Sequence, residues 1–384
     1  MVWVHGGGFT SGSGGMYDAH RLAVQGDVVV VTVNYRLGVF GFFGHPELGR
    51  DSGAFGLEDQ VAALRWVRRN AAAFGGDPRN VTLFGESAGG LSTCGLLTSP
   101  VTAGLFQRAI VQSGPCTITS PVGGVAASPW PDRSAVEQQG GRLATARGCV
   151  DVTCLRRVPA DELMAEPLAP VFSWPAFDTD VLPESPATAV VAGHVHRVPV
   201  LAGTNRDEGS LFAALEPNQP ITEQAYQQSL RAAFADKADR VAARYPSSAY
   251  GTPGTAWAAV QSDRVWACSA LTTDRALAAR TRLYAYEFAD RNAPRIIPFP
   301  PGIEPGAYHA AELTYLFDLA GFDPKFTPEQ QRLSDRMIRA WTRFADTGDP
   351  QWRQFPTVLS LAPEAVKPVD LAAEHQCAFW DTLA

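Results

Sequence analysis

The pentapeptide Gly85-Glu86-Ser87-Ala88-Gly89 sets a serine between glycines, after the apolar run Asn80-Val81-Thr82-Leu83-Phe84 and before the helix-like run Leu91 to Leu97. In a chain with 35 glycines the pentapeptide alone is a weak signal, so its setting carries the weight. Small flanking residues let the backbone turn sharply from strand into helix and lift the hydroxyl clear of a sheet. A serine hydroxyl is a poor nucleophile at neutral pH. It needs a base to take its proton, and N–H donors to hold the oxyanion formed when it attacks a carbonyl carbon.

The segment His5-Gly6-Gly7-Gly8-Phe9 follows an apolar strand at the front of the chain. Glycines let backbone N–H groups approach a substrate oxygen closely, so Gly7, Gly8 and Ala88 are the candidate oxyanion donors. The base must be one of 7 histidines. In a sheet with this strand-turn-helix nucleophile the chain order is serine, acid, histidine, which removes His5, His20 and His45. His194 and His196 form an isolated H-x-H with no further ligand nearby to close a zinc shell. His375 lies near the C-terminus beside a cysteine. His309, in Gly306-Ala307-Tyr308-His309-Ala310-Ala311-Glu312, stands in a loop leading into an apolar helix and is the best base. The acid falls in the polar loop after Val198 to Ala202, where Asp207 and Glu208 are adjacent and spacing does not choose between them.

These groups need a scaffold, and the first half of the chain alternates β-branched runs with helical patterns, the mark of a largely parallel sheet. Strands are expected at Val2 to Val4, Val28 to Asn34, Val81 to Phe84, Ala109 to Gln112, Val198 to Ala202 and Leu283 to Phe288. Helices are expected at Asp59 to Ala73, stopped by Gly75-Gly76-Asp77-Pro78, and at Gln331 to Asp346. Gly-, Pro- and Ser-rich stretches read as excursions, roughly 115–190 and 210–265, from a single domain spanning 1–384. The chain is 46% hydrophobic and 18% charged, ample for a large core. A formal charge of −7 argues against a nucleic-acid partner. No run approaches the length of a membrane span. The chemistry requires no cofactor.

Together these residues resemble the type-B carboxylesterase and cholinesterase family, and the similarity runs essentially the length of the chain. It includes Val31-Thr32-Val33-Asn34-Tyr35-Arg36-Leu37-Gly38, Phe74-Gly75-Gly76-Asp77-Pro78-Arg79-Asn80-Val81, Gln112-Ser113-Gly114, Asn205-Arg206-Asp207-Glu208-Gly209-Ser210 and Trp341-Thr342-Arg343-Phe344-Ala345. The resemblance implies an α/β-hydrolase fold, a mostly parallel sheet with helices on both faces, and hydrolysis of small carboxylic esters through an acyl-enzyme. It selects Glu208 as acid and His309 as base, and implies supporting roles for Glu86, Ser113 and Glu312. It implies bridges Cys149–Cys154 and Cys268–Cys377, leaves Cys94 and Cys116 as buried thiols, and so favours an exported protein. It sets Phe172, Trp174 and Phe177 at the acyl side. Family members carry a segment ahead of the His-Gly-Gly-Gly strand that this chain does not show. Val28 to Asn34 is therefore expected at a sheet edge, and cholinesterase activity is not implied. With His309 as base, activity is expected to fall below about pH 6.5, the ordinary imidazole value.

Overall fold

The computed structural model describes residues 1–119, 130–165 and 171–383. Its core is an 8-stranded sheet. The strands are β1 (Val2–Val4), β2 (Val31–Val33), β3 (Thr82–Glu86), β4 (Arg108–Gln112), β5 (Val200–Asn205), β6 (Leu283–Phe288), β7 (Val358–Leu361) and β8 (Val366–Val369). Their spatial order is β8-β7-β6-β5-β4-β3-β1-β2. Among the described residues of this sheet, only the β7–β8 pair is antiparallel. β2 stands at one end of this order, paired with β1 through Val2 opposite Val31 and Val4 opposite Val33.

Side chains of a strand point alternately to the two faces, and here both faces are apolar. Val2, Val4, Leu83, Ala109, Val111 and Val200 enter one core with Val61, Leu64 and Val67 of helix α1 (Phe55–Asn70) and Leu91 and Leu96 of α2 (Ala88–Thr98). Trp3, Phe84, Ile110, Leu201 and Tyr284 enter the other with Met337, Ile338, Trp341 and Phe344 of the long C-terminal helix. Between these, α3 (Gly209–Ala214) follows β5, α4 (Cys268–Ala278) continues a π-helical turn at Ser262–Ala267, and the long C-terminal helix is α5 (Pro328–Thr347). α5 begins earlier than its apolar period suggests. Thr327 and Gln330 form a capping box with Pro328 in the first turn, and Gly348 at φ 75° ends the helix.

Cys149–Cys154 and Cys268–Cys377 are bridged, at separations of 5 and 109 residues. Closing the longer loop restricts the unfolded chain by about 4 to 5 kcal/mol in the chain-entropy account. Cys94 and Cys116 correct the expectation of free thiols, because they form a further bridge with Cα atoms 5.4 Å apart. α2 packs on β4, so the turn leaving β4 returns beside the second turn of the helix. The excursion after residue 115 lies partly outside the described residues.

Candidate active site

Ser87 is the pivot between β3 and α2, with φ 56° and ψ −122°. A β-branched or bulky residue would be strained there. The turn is closed by contacts that leave no room for side chains at its glycines. A methyl group on Gly89 would come within 1.9 Å of the Val4 carbonyl oxygen, and one on Gly85 within 2.5 Å of the Gly89 carbonyl carbon. One on Gly6 would lie 2.7 Å from Glu86 Oε2 and 3.0 Å from Ser87 Cβ. The serine and the glycine loop after β1 are thus pressed together, while the Ser87 backbone N–H donates to the Gln112 carbonyl on β4 at 3.0 Å.

His309 and Glu208 arrive from the loops after β6 and β5, and both are buried. His309 Nδ1 meets Glu208 Oε2 at 2.6 Å. The other carboxylate oxygen, Oε1, accepts from Thr204 Oγ1 at 2.8 Å and from the Asn205 N–H at 2.7 Å. Burial opposes ionisation of Glu208, but the charge and hydrogen bond of the imidazole and the hydrogen bond from the Asn205 N–H hold its carboxyl below the ordinary value. His309 Nε2 has no hydrogen-bond partner and lies 3.2 Å from Glu86 Oε1. Trp266 and Phe212 flank the imidazole at centroid distances of 4.6 and 4.9 Å. The adjacent Asp207 is used elsewhere, in a bidentate pair with Arg291 and as acceptor for the Ala307 N–H.

Burial alone would lower the His309 pKa, yet the facing charges of Glu86 and Glu208 raise it to about 9. Glu86 is itself raised to about 8 by burial and by the negative charges of Glu312 and Glu208. With His309 as the candidate base, which must be neutral to accept a proton, activity is expected to fall, as the pH is lowered, already above the ordinary 6.5 expected from sequence. The acid limb of a kcat/KM–pH profile is expected to have its midpoint above 6.5. Glu86→Gln removes a raising charge and should move that midpoint down. An unmoved midpoint would remove Glu86 from this role.

Glu312 accepts from Gln112 Nε2 at 3.1 Å and Asn205 Nδ2 at 2.7 Å. Asn205 also donates to the Tyr308 carbonyl at 2.8 Å, and Trp341 Nε1 donates to Gln112 Oε1 at 2.9 Å. This network joins β4, β5, α5 and the His309 loop. Ser113, buried just past β4 with φ 47°, has its hydroxyl beside Glu208 and helps keep that carboxyl low. Nothing local in the sequence marks Asn205, Gln112 and Trp341 as supports, although all three lie within the motifs that carry the family resemblance.

Gly7 and Gly8 have φ 110° and 61°, conformations suited to glycine. Gly7 O accepts from the N–H groups of Thr10 and Ser11 at 3.1 and 3.0 Å, which fixes the loop. Among the described residues, the N–H groups of Gly7, Gly8 and Ala88 have no acceptor. His5 anchors the loop from behind, with Nδ1 2.7 Å from Gly6 O and its ring stacked on Tyr35 at 4.5 Å. Burial pushes the His5 pKa down.

Ser87, Gly8 and Ala88 line a cavity of about 460 Å³ at the carboxyl ends of the strands, where open α/β sheets bind ligands. Its walls are chiefly apolar, including Leu91, Ile118, Trp174, Phe212 and Trp266. Of the aromatics expected at the acyl side, Trp174 reaches the cavity. Phe172 is buried against Phe43, and Phe177 pairs with Asp132. A larger groove, about 990 Å³, opens at the other end of the strands between Met1, Val81 and Arg339, away from these groups. His194 and His196 do not converge: one meets Glu184 at 2.5 Å and the other the Ser99 carbonyl at 2.8 Å. His375 is buried between Asp263 and Glu287, each at 2.6 Å. No group of His, Cys, Asp and Glu among the described residues is arranged to hold a metal ion.

Residues 1–380 match the carboxylesterase family. The chain is 36% identical to the para-nitrobenzyl esterase of Bacillus subtilis, over 91% of this chain and 71% of that protein. It is 33% identical to the human bile salt-activated lipase, over 91% of this chain and 50% of that one. With the acetylcholinesterase of Bungarus fasciatus the identity is 31%, over 99% and 68%. The chain thus spans between half and about seven-tenths of the length of these relatives. Among solved structures, a thermophilic PNB esterase superposes with a TM-score of 0.78 at 31% identity, covering 98% of this chain and 79% of that one.

Proposed function

The chain belongs to the carboxylesterase family, and on that footing we propose that it hydrolyses carboxylic esters with Ser87 as nucleophile, His309 as base and Glu208 as the acid that orients it. The observation that carries the reading is the buried 2.6 Å contact between Glu208 Oε2 and His309 Nδ1. It fixes the imidazole tautomer whose free Nε2 can accept a proton.

In the first step Ser87 Oγ bonds to the ester carbonyl carbon and His309 Nε2 takes its proton. The carbonyl oxygen becomes an oxyanion held by the N–H groups of Gly7, Gly8 and Ala88. They have no other acceptor among the described residues, so nothing must be broken to use them. Collapse of this intermediate breaks the bond to the alcohol, which leaves with the proton from His309. Water then attacks the acyl carbon, gives its proton to His309, and the serine departs with that proton as the acid is released.

An apolar cavity of about 460 Å³ suits a small, uncharged ester. Three disulfides favour an oxidising, extracytoplasmic compartment. No described helix is long and apolar enough to cross a membrane. The direct test is labelling with a fluorophosphonate, which phosphonylates an activated serine. A single adduct on the peptide containing Ser87, formed in step with loss of p-nitrophenyl butyrate hydrolysis, is expected. Inactivation by an adduct elsewhere would overturn the assignment.

A further inference from the structure

We propose that the Cys94–Cys116 bridge sets the selectivity of the ester cavity by holding one of its walls, an inference that rests on the esterase reading above. Both cysteines are fully buried. Cys94 lies on α2, the helix that begins at the nucleophile, and Cys116 lies in the turn leaving β4.

From Cys116 the structure leads to the cavity by two routes. The first is the chain itself. Thr117 is fastened to α4, its hydroxyl donating to the Ser269 carbonyl at 2.7 Å and its N–H donating to Thr273 Oγ1 at 3.2 Å. With Cys116 tied to α2 on one side and Thr117 to α4 on the other, Ile118 and Thr119 are delivered to the cavity wall. The second runs through aromatic rings. Trp130 Nε1 donates to the Cys116 carbonyl at 3.2 Å, and its ring lies against α2 beside Gly95. Trp130 meets Trp174 edge-on at 5.8 Å, and Trp174 lines the cavity and packs on Phe9 at 5.7 Å, next to the oxyanion glycines.

Removal of the bridge leaves Ser87, His309 and Glu208 untouched but frees the wall formed by Ile118 and Trp174. The consequence is a change in which esters fit. A methylene more or less in an apolar pocket changes kcat/KM about tenfold or more, so a relaxed wall should register in chain-length preference.

The test compares p-nitrophenyl acetate, butyrate and octanoate as substrates for the wild type, the double variant Cys94→Ala/Cys116→Ala, and a control, Cys149→Ala/Cys154→Ala. The acetate-to-octanoate ratio of kcat/KM is expected to fall about tenfold in the first variant and to stay within about twofold of wild type in the control. Trp130→Phe keeps the bridge and most of the ring but removes the hydrogen bond to Cys116, and should shift the ratio the same way by less. An unchanged ratio in a folded Cys94→Ala/Cys116→Ala protein overturns the inference. If that variant does not fold, an unchanged ratio in Trp130→Phe does so. Free thiols at positions 94 and 116 in the active wild type also overturn it. A wild type that turns over no ester removes the esterase reading and this inference with it, whereas turnover with an unaltered ratio removes this inference alone.

Discussion

Ser87→Ala should lower kcat for p-nitrophenyl butyrate by roughly 10⁵- to 10⁶-fold, with the thermal melt followed by circular dichroism little changed. The large factor follows from covalent catalysis. Without the hydroxyl no acyl-enzyme forms, and what remains is direct attack by water in a site that still offers oxyanion donors, worth about 10³- to 10⁴-fold over water alone. The small structural effect follows from the backbone. The φ of 56° is already imposed on a residue with a β-carbon, so alanine meets the same strain that serine does. Turnover by the variant within tenfold of wild type would sink the nucleophile assignment.

Glu208→Gln should cost about 10⁴-fold in kcat for the same ester, because its surroundings dictate which way the new amide turns. The hydroxyl of Thr204 and the N–H of Asn205 both donate to Oε1, so the amide oxygen must take that place. The NH₂ group then faces His309 Nδ1, where Oε2 now stands at 2.6 Å. To accept from it, the imidazole must carry its proton on Nε2, the one atom that has to be free to receive the Ser87 proton. The variant should therefore fold, bind ester with a similar KM and fail in the chemical step. A loss smaller than about tenfold in kcat would mean that Glu208 does not set the tautomer.

The strands that carry these residues were legible because each is a short β-branched run bounded by turn residues, and β6 spans the very segment Leu283 to Phe288. β7 and β8 were not. Val358–Leu361 is only 4 residues long, and Val366–Val369 contains Pro368, which normally speaks against a strand but is tolerated at the sheet edge where β8 lies. α2 showed no apolar period because nearly every one of its residues is buried, so there is no polar face to alternate with. The serine, the acid and the histidine could be sought by chain order and motif, and the structure brings Glu208 and His309 into contact. The amide scaffold behind them could not be foreseen. Gln112, Asn205 and Glu312 meet across as many as 200 residues of chain, and nothing local in a buried glutamine announces its partner. The Cys94–Cys116 pairing is similar, since it depends on how closely α2 settles on β4.

The contacts of Gly6, Gly85 and Gly89 bear on how such an enzyme can diversify. With the Val4 carbonyl oxygen 1.9 Å from where a Gly89 methyl would stand, strand, loop and helix are interlocked like parts of a casting. Neither the Ser87 hydroxyl nor the N–H groups of the glycine loop opposite it can be re-aimed separately by mutation. New substrate preferences must then come from the surrounding loops, whose residues can be exchanged one at a time while the reacting geometry is inherited whole.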